Sequence, residues 1–235
     1  MNKGFYKDLD TNFEQALEMS KRDFPHETLI EMLKHGNIPE KQLAALRIED
    51  VNNLEEAQIL VSNLTGCDGK IREAVALKIN SLLIKSPALI NFFTQPEDFA
   101  NASIDINANI CRVVIDSVSI LKENKEFAKF YLDKILKFIA EAYEELDKFV
   151  FRDQKYVINK QLFKLYWCLE ALKLFAKDLD TKTLFTILDK ASKEREYTIR
   201  EKVAQIVVKL NSNDFNSIEE RLKQDDNYYV RNTFK

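Results

Sequence analysis

Apolar residues recur along this chain at a helical spacing that returns as a block. Ile71, Val75, Ile79 and Leu82 lie three or four residues apart; Ile110, Val114, Val118 and Leu121 repeat those intervals, as do Ile199, Val203, Val207 and Leu210. Each set falls on one face of an α-helix, because side chains three and four residues apart share a face. Val230-Arg231 starts the pattern again, and a divergent copy over 164–175 puts Trp167, Cys168, Leu172 and Phe175 at the apolar positions. A single helical pair cannot cover its own apolar face, so copies at this spacing must stack and seal one another. The pattern predicts an all-α chain, a right-handed α-α superhelix of stacked helix pairs. One domain is expected over 1–235, with 1–50 as an N-terminal helical cap and 51–235 as repeats.

Start and stop signals cut the pattern into elements. Thr11 with Glu14 reads as a capping box for a helix over 11–21, and Asn53 with Glu56 as a second box. Pro25 as a first helical residue and Gly36 just past a helix end frame the helix between them. Pro39 opens another, with Leu43, Ala44 and Leu46 on one face, and Gly66-Cys67-Asp68-Gly69 turns the chain into a helix over 70–85. Ser86-Pro87 and Pro96 start short helices; longer ones follow over 107–122, 125–150, 155–177, 181–194, 197–211 and 216–224. The 125–150 helix is expected to bury Phe127, Phe130, Ile135, Phe138, Ile139, Ala142, Leu146 and Phe149.

Composition agrees with this reading. Only 4 Gly and 4 Pro among 235 residues leave little room for hairpin turns, and 46% hydrophobic content supports a full core. The net charge of -3 supplies no general basic field for nucleic acid. Residues 151–235 carry 17 Lys/Arg against 13 Asp/Glu, which leaves the first 150 residues acidic, a modest asymmetry that could orient a partner. Cys67, Cys111 and Cys168 are odd in number and far apart, which argues for free thiols in a reducing compartment rather than a disulfide framework. The first residues lack the apolar core of a secretion signal, and no apolar run approaches the roughly 20 residues that span a bilayer. A cytoplasmic location with no membrane partner is expected.

The repeat starts carry a further pattern. Asp68-Gly69-Lys70-Ile71-Arg72 and Asp225-Asp226-Asn227-Tyr228-Tyr229-Val230-Arg231 combine an Asp-rich turn with a Val/Ile-Arg pair. This resembles HEAT repeats, whose period of roughly 40 residues per helical pair also matches. The resemblance covers 55–122 and 180–235 well, 25–50 loosely and 125–178 by period. It implies a ladder between neighbouring repeats, with Arg72, Arg200 and Arg231 as the arginine rungs and Asp68 and Asp226 as the acids. Cys111 stands at the arginine position of its copy, so the ladder should break there. HEAT-like arrays also include alkylpurine DNA glycosylases and bilin lyases, so a base-excision enzyme and a pigment or subunit chaperone are the alternatives that the resemblance raises.

Candidate chemistry is sparse. His26 and His35 lie nine residues apart, which fails the spacing for joint metal ligation on a helix, and no cysteine pair is near; no metal and no cofactor are expected. Gly66-Cys67-Asp68-Gly69-Lys70 lacks the glycine interval and the Ser/Thr of a phosphate loop and reads as an inter-helix turn. Cys67 has no histidine placed to activate it. The lone Trp167, flanked by Leu165 and Leu169 with Glu170 as the nearest acid on its helix, reads as core.

With Ile71, Ile110, Lys164 and Ile199 in register, positions two, six and nine residues on face away from the core. They are Glu73, Leu77, Asn80; Arg112, Asp116, Ser119; Tyr166, Glu170, Lys173; and Glu201, Gln205, Val208. Four acids against two bases repel a polyanion, so nucleic acid is disfavoured. A non-catalytic scaffold that binds another protein is the expected function, with Arg112, Asp116, Tyr166, Glu170 and Lys173 as the central contacts. Along 125–150, Lys125, Lys129, Lys134 and Lys137 precede Glu141, Glu144, Glu145 and Asp147, with Lys129–Asp133, Asp133–Lys137 and Glu144–Lys148 as i,i+4 pairs. That helix is a solvated face or a docking strip. Tyr228, Tyr229, Val230 and Phe234 begin an apolar face that either folds back as a cap or supports self-association through this edge.

Overall fold

The computed structural model describes residues 14–148 and 155–235, with side chains from all of these but 155–157. Among the described residues every regular element is helical and there is no strand. The chain is all-α, as its apolar spacing predicts. It divides into two compact units, Met1–Tyr131 and Leu132–Lys235. The capping box expected at Thr11 lies outside the described residues.

The first unit holds α1 (His26–His35), α2 (Ile38–Arg47), α3 (Leu54–Ser62), α4 (Gly69–Lys85), α5 (Pro96–Ala102), α6 (Ala108–Leu121) and the start of α7 (Lys125–Lys148). Helices α1/α2, α3/α4 and α5/α6 form successive hairpins. Their first members pack in the order α1, α3, α5 and their second members in the order α2, α4, α6, so the unit has two helical layers. The repeated apolar sets lie between them: Val75, Ile79, Ile110, Val118 and Leu121 are almost fully buried. Such layering is how each pair hides the face its neighbour leaves open.

Polar side chains start most of these helices. Asn37 and Glu40 form a reciprocal capping box at α2, with Pro39 in its first turn. Asn53 caps α3 by accepting from the Glu56 N–H at 3.0 Å, but the Glu56 carboxylate returns to the Asn52 N–H at 2.8 Å and to the Asn53 side-chain amide at 3.2 Å rather than to the Asn53 N–H. Pro25 sits at the cap of α1, one residue before the first helical position that its sequence context suggests. Gly36 follows α1 with an extended backbone, φ -67°, so no left-handed turn requires it. Close approach does: a Cβ there would stand 2.4 Å from the Met32 carbonyl oxygen and 2.7 Å from Glu40 Cβ.

An aromatic cluster fills the lower part of this unit. Phe99 meets Phe93 and Phe127 edge-on, Phe127 stacks on Tyr131, and the buried Tyr131 hydroxyl lies 2.7 Å from Ser103 Oγ. Phe130, expected in the core, is 53% exposed, because the four-residue step from Phe127 brings Tyr131 inward instead.

The second unit holds the rest of α7, then α8 (Lys155–Phe175), α9 (Thr181–Ala191), α10 (Tyr197–Leu210), α11 (Asn216–Lys223) and α12 (Tyr228–Asn232). Hairpins α9/α10 and α11/α12 repeat the arrangement, and α10 packs on both α8 and α12. The divergent copy behaves as a copy: Trp167, Cys168, Leu172 and Phe175 are buried. Helix α10 ends on Asn211 in the left-handed conformation, φ 49°, a role Asn tolerates at helix C-termini. Val230 is fully buried, so α12 packs back on its own unit.

Candidate partner-binding surfaces

Four second helices, α4, α6, α10 and α12, begin with a similar local hydrogen bond. Arg72 Nη1 donates to the Gly66 and Cys67 carbonyls at 2.8 and 3.1 Å, and Arg200 Nη1 donates to the Glu194 and Arg195 carbonyls, both at 2.8 Å. Arg231 donates to the Asp225 carbonyl, again six residues back. Cys111 keeps this half of the rung, its thiol donating to the Asp105 carbonyl at 3.0 Å. Burial, reinforced by the Asp105 charge, pushes that thiol up to about 12, so it stays protonated and unreactive.

The inter-repeat half of the rung forks onto Asp105 and Asp225; of the acids the resemblance implies, Asp226 makes a secondary contact and Asp68 makes none. Arg72 Nε and Nη2 donate to Asp105 at 2.7 and 3.2 Å, and Arg200 makes the same fork to Asp225 at 2.6 and 2.8 Å. Asp226 adds one contact to Arg200 at 2.9 Å. Asp68 instead caps α4, accepting from the Lys70 and Ile71 N–H groups at 2.9 and 3.0 Å. It matches Asn107 and Asn227, which cap α6 and α12. The rung acids stand two residues before those caps and also accept from the cap's own N–H. The signal for them is Asp-x-Asn, at Asp105-Ile106-Asn107 and Asp225-Asp226-Asn227.

With their starts fixed, the second helices present the remaining faces in a set register. Every position two, six or nine residues past Ile71, Ile110, Lys164 or Ile199 is half-buried or exposed. In the first unit, Glu73 accepts from Asn109 at 3.4 Å and Asn80 from Ser117 at 3.3 Å, tying α4 to α6 at the surface. Arg112 and Asp116 are exposed on α6, with Arg112 donating to Asn109 at 3.3 Å. Leu77, Lys78, Ser81, Ile84 and Lys85 share the outward face of α4 by helical period. The large apolar side chains left open on α2 and α4 include Leu46 at 55%, Leu77 at 50% and Ile84 at 66%. A cleft of about 540 Å³ in this unit is lined by Asp23, Phe24, His26, Leu29, Leu46, Arg47, Glu49 and Lys78.

In the second unit, Tyr166, Glu170 and Lys173 come together with Lys202 and Gln205 of α10. Glu170 pairs with Lys173 at 2.6 Å and Lys202 at 2.5 Å, and Lys202 lies over the Tyr166 ring at 4.7 Å. Burial pushes the Glu170 carboxyl up, but the hydrogen bonds from Lys173 and Lys202 outweigh it and hold the group below its ordinary range. This is a pre-organised, half-buried polar patch. On α7, Lys148 pairs with Glu145 rather than Glu144, while Glu141 and Asp147 turn to Lys164 and Lys190, both at 2.9 Å. Much of the acidic half of that helix is thus engaged within its own unit.

The other candidate groups have structural surroundings. His26 Nε2 lies 3.0 Å from Glu56 Oε2, and His35 stands at the C-terminus of α1. Trp167 is 5% exposed, its ring edge-on to Phe163 and Tyr166. No group of three or more His, Cys, Asp or Glu among the described residues is placed to hold a metal ion. No described helix is long and apolar enough to cross a membrane.

No family model and no curated protein matches the chain. Among solved structures, it is similar to an engineered protein determined by a structural genomics consortium, at 12% identity and a TM-score of 0.45, over 88% of this chain and 92% of that one. It is also similar to a designed armadillo repeat protein, at 11% identity and a TM-score of 0.42, over 87% and 94%.

Proposed function

We propose that this protein is a non-catalytic, HEAT-type scaffold of the cytoplasm that binds another protein through the outward faces of its second helices. The observation that carries the reading is the row of half-exposed apolar side chains, Leu46, Leu77 and Ile84, on α2 and α4. Apolar side chains grouped beside polar neighbours are the composition of an interface centre with its rim. Arg112 and Asp116 are the candidate polar contacts in the first unit, and Tyr166, Glu170 and Lys173 are the candidate contacts of the second unit by itself. The buried Trp167 offers no open ring face on which a damaged base could stack, which disfavours base excision.

Affinity capture from the native cell tests the reading. The wild-type chain is expected to retain a protein that the Leu77→Asp/Ile84→Asp variant loses while its helical content and melting temperature hold. Equal capture by both chains would overturn it. The Tyr228 and Tyr229 rings, 57% and 59% exposed with Tyr229 stacked on Tyr197, favour a second contact, self-association through this edge. Sedimentation velocity should then show a concentration-dependent dimer that Tyr228→Ser/Tyr229→Ser abolishes.

A further inference from the structure

The cleft beside Leu46 contains a cation with no hydrogen-bonded partner. Lys78 is half-buried on its wall, and no hydrogen bond or ion pair reaches its ammonium among the described residues. Burial pulls that ammonium below the ordinary lysine range; the Glu49 charge opposes the effect and Lys85 adds to it. Glu49 lines the same cleft but makes no hydrogen bond or ion pair to Lys78, and the other charges there are engaged elsewhere. Arg47 donates to the Ser20 and Arg22 carbonyls and stands 3.9 Å from Asp23, His26 faces Glu56, and the exposed Lys85 reaches the Glu49 carbonyl. A partly desolvated cation with no carboxylate in contact is costly, and a carboxylate brought by a ligand relieves that cost.

We propose that this surface binds an amphipathic segment of a protein partner that carries Leu- or Ile-type side chains together with an Asp or Glu, the carboxylate pairing with Lys78. The choice of occupant follows from the lining. Leu77 and Ile84 lie seven residues apart on α4, two turns along one stripe, with Lys78 and Lys85 running parallel beside them. A helix laid along α4 meets the apolar stripe with residues at i, i+3 or i+4 and i+7, and sets its acids on the lysine side. Leu29, Leu46 and Phe24 give the cleft apolar walls, so one anchoring side chain enters there next to the ammonium. The proposal rests on the scaffold reading above and names the partner's chemistry.

Selection from a random 16-residue peptide library displayed on phage, with the intact protein as bait, tests it. Enriched peptides should combine Leu, Ile or Phe at helical spacing with a nearby Asp or Glu. Lys78→Glu should weaken them about tenfold or more, the loss expected when a desolvated charge pair is reversed, and should shift the preference to Lys or Arg in a repeated selection. Leu77→Asp, on the open stripe, should abolish them with no change in the circular dichroism spectrum. No enrichment, peptides without acids, or a preference unmoved by Lys78→Glu would overturn the inference. If native capture still depends on Leu77 and Ile84 in that event, the scaffold survives and only the acidic-segment assignment falls.

Discussion

Single residues carry this fold where the guanidinium rungs cross between repeats. The Arg72 and Asp105 side chains are only 11% and 9% exposed, so removing either strands the other as a desolvated charge. Asp105→Ala should cost about 3 kcal/mol, the scale for breaking a buried pair by deleting one partner. Asp68→Ala, which removes only a helix cap, should cost about 1 kcal/mol. Urea denaturation of the two variants separates the ladder acid from the cap. At the second rung, the Arg200 guanidinium holds the Asp225 carboxyl below its ordinary range. A depressed carboxyl stabilises the fold above its unfolded value, near about pH 4, and that stability is lost as pH falls through the lower folded value. The urea midpoint of wild type should therefore exceed that of Asp225→Asn at pH 7, with the gap closing below the ordinary carboxylate range. Gly36→Ala should cost more than about 1 kcal/mol, since backbone there blocks a Cβ.

At the scale of elements, the repeated apolar spacing and the caps locate nearly every helix. What they leave out is local. Pro25 moves by one position because a proline with ψ near 155° suits a cap better than a helical turn. Helices α9 and α8 end at Ala191 and Phe175, earlier than the apolar pattern suggests, because Ser192 and Ala176 begin turns whose side chains stay buried outside the helix. The arginines of the ladder were legible, and its acids only in part, since Asp226 adds a contact to Arg200 while Asp105 and Asp225 take the forks. Asp68 and Asp105 both stand near an N-terminus, but one accepts from its own helix and the other from a helix 33 residues back. The Asn two residues after Asp105 takes the cap that Asp68 fills itself, and that difference gains its meaning only when a neighbouring repeat brings the arginine. The candidate surface was legible as a list of outward positions. The lysine that lacks a carboxylate in contact was not, since Lys78 lies one residue off that register.

For the whole molecule, the net charge of -3 leaves recognition to local surfaces. Double replacement of Arg112→Glu and Asp116→Lys keeps the charge total and should leave the melting temperature within about 2 °C, because exposed charges contribute little to stability. The same variant should slow association with the captured partner, a rim effect read as a lower on-rate by surface plasmon resonance. The sequence by itself determined that the chain is all-α and repeats in pairs, because a helical apolar period and capping residues are local properties of the chain. Only the tertiary structure decided which acids answer Arg72 and Arg200, which aromatic turns inward on α7, and which cation stands half-buried with no anion in contact. Those depend on what a neighbouring helix brings within hydrogen-bond distance, and spacing along the chain does not encode it.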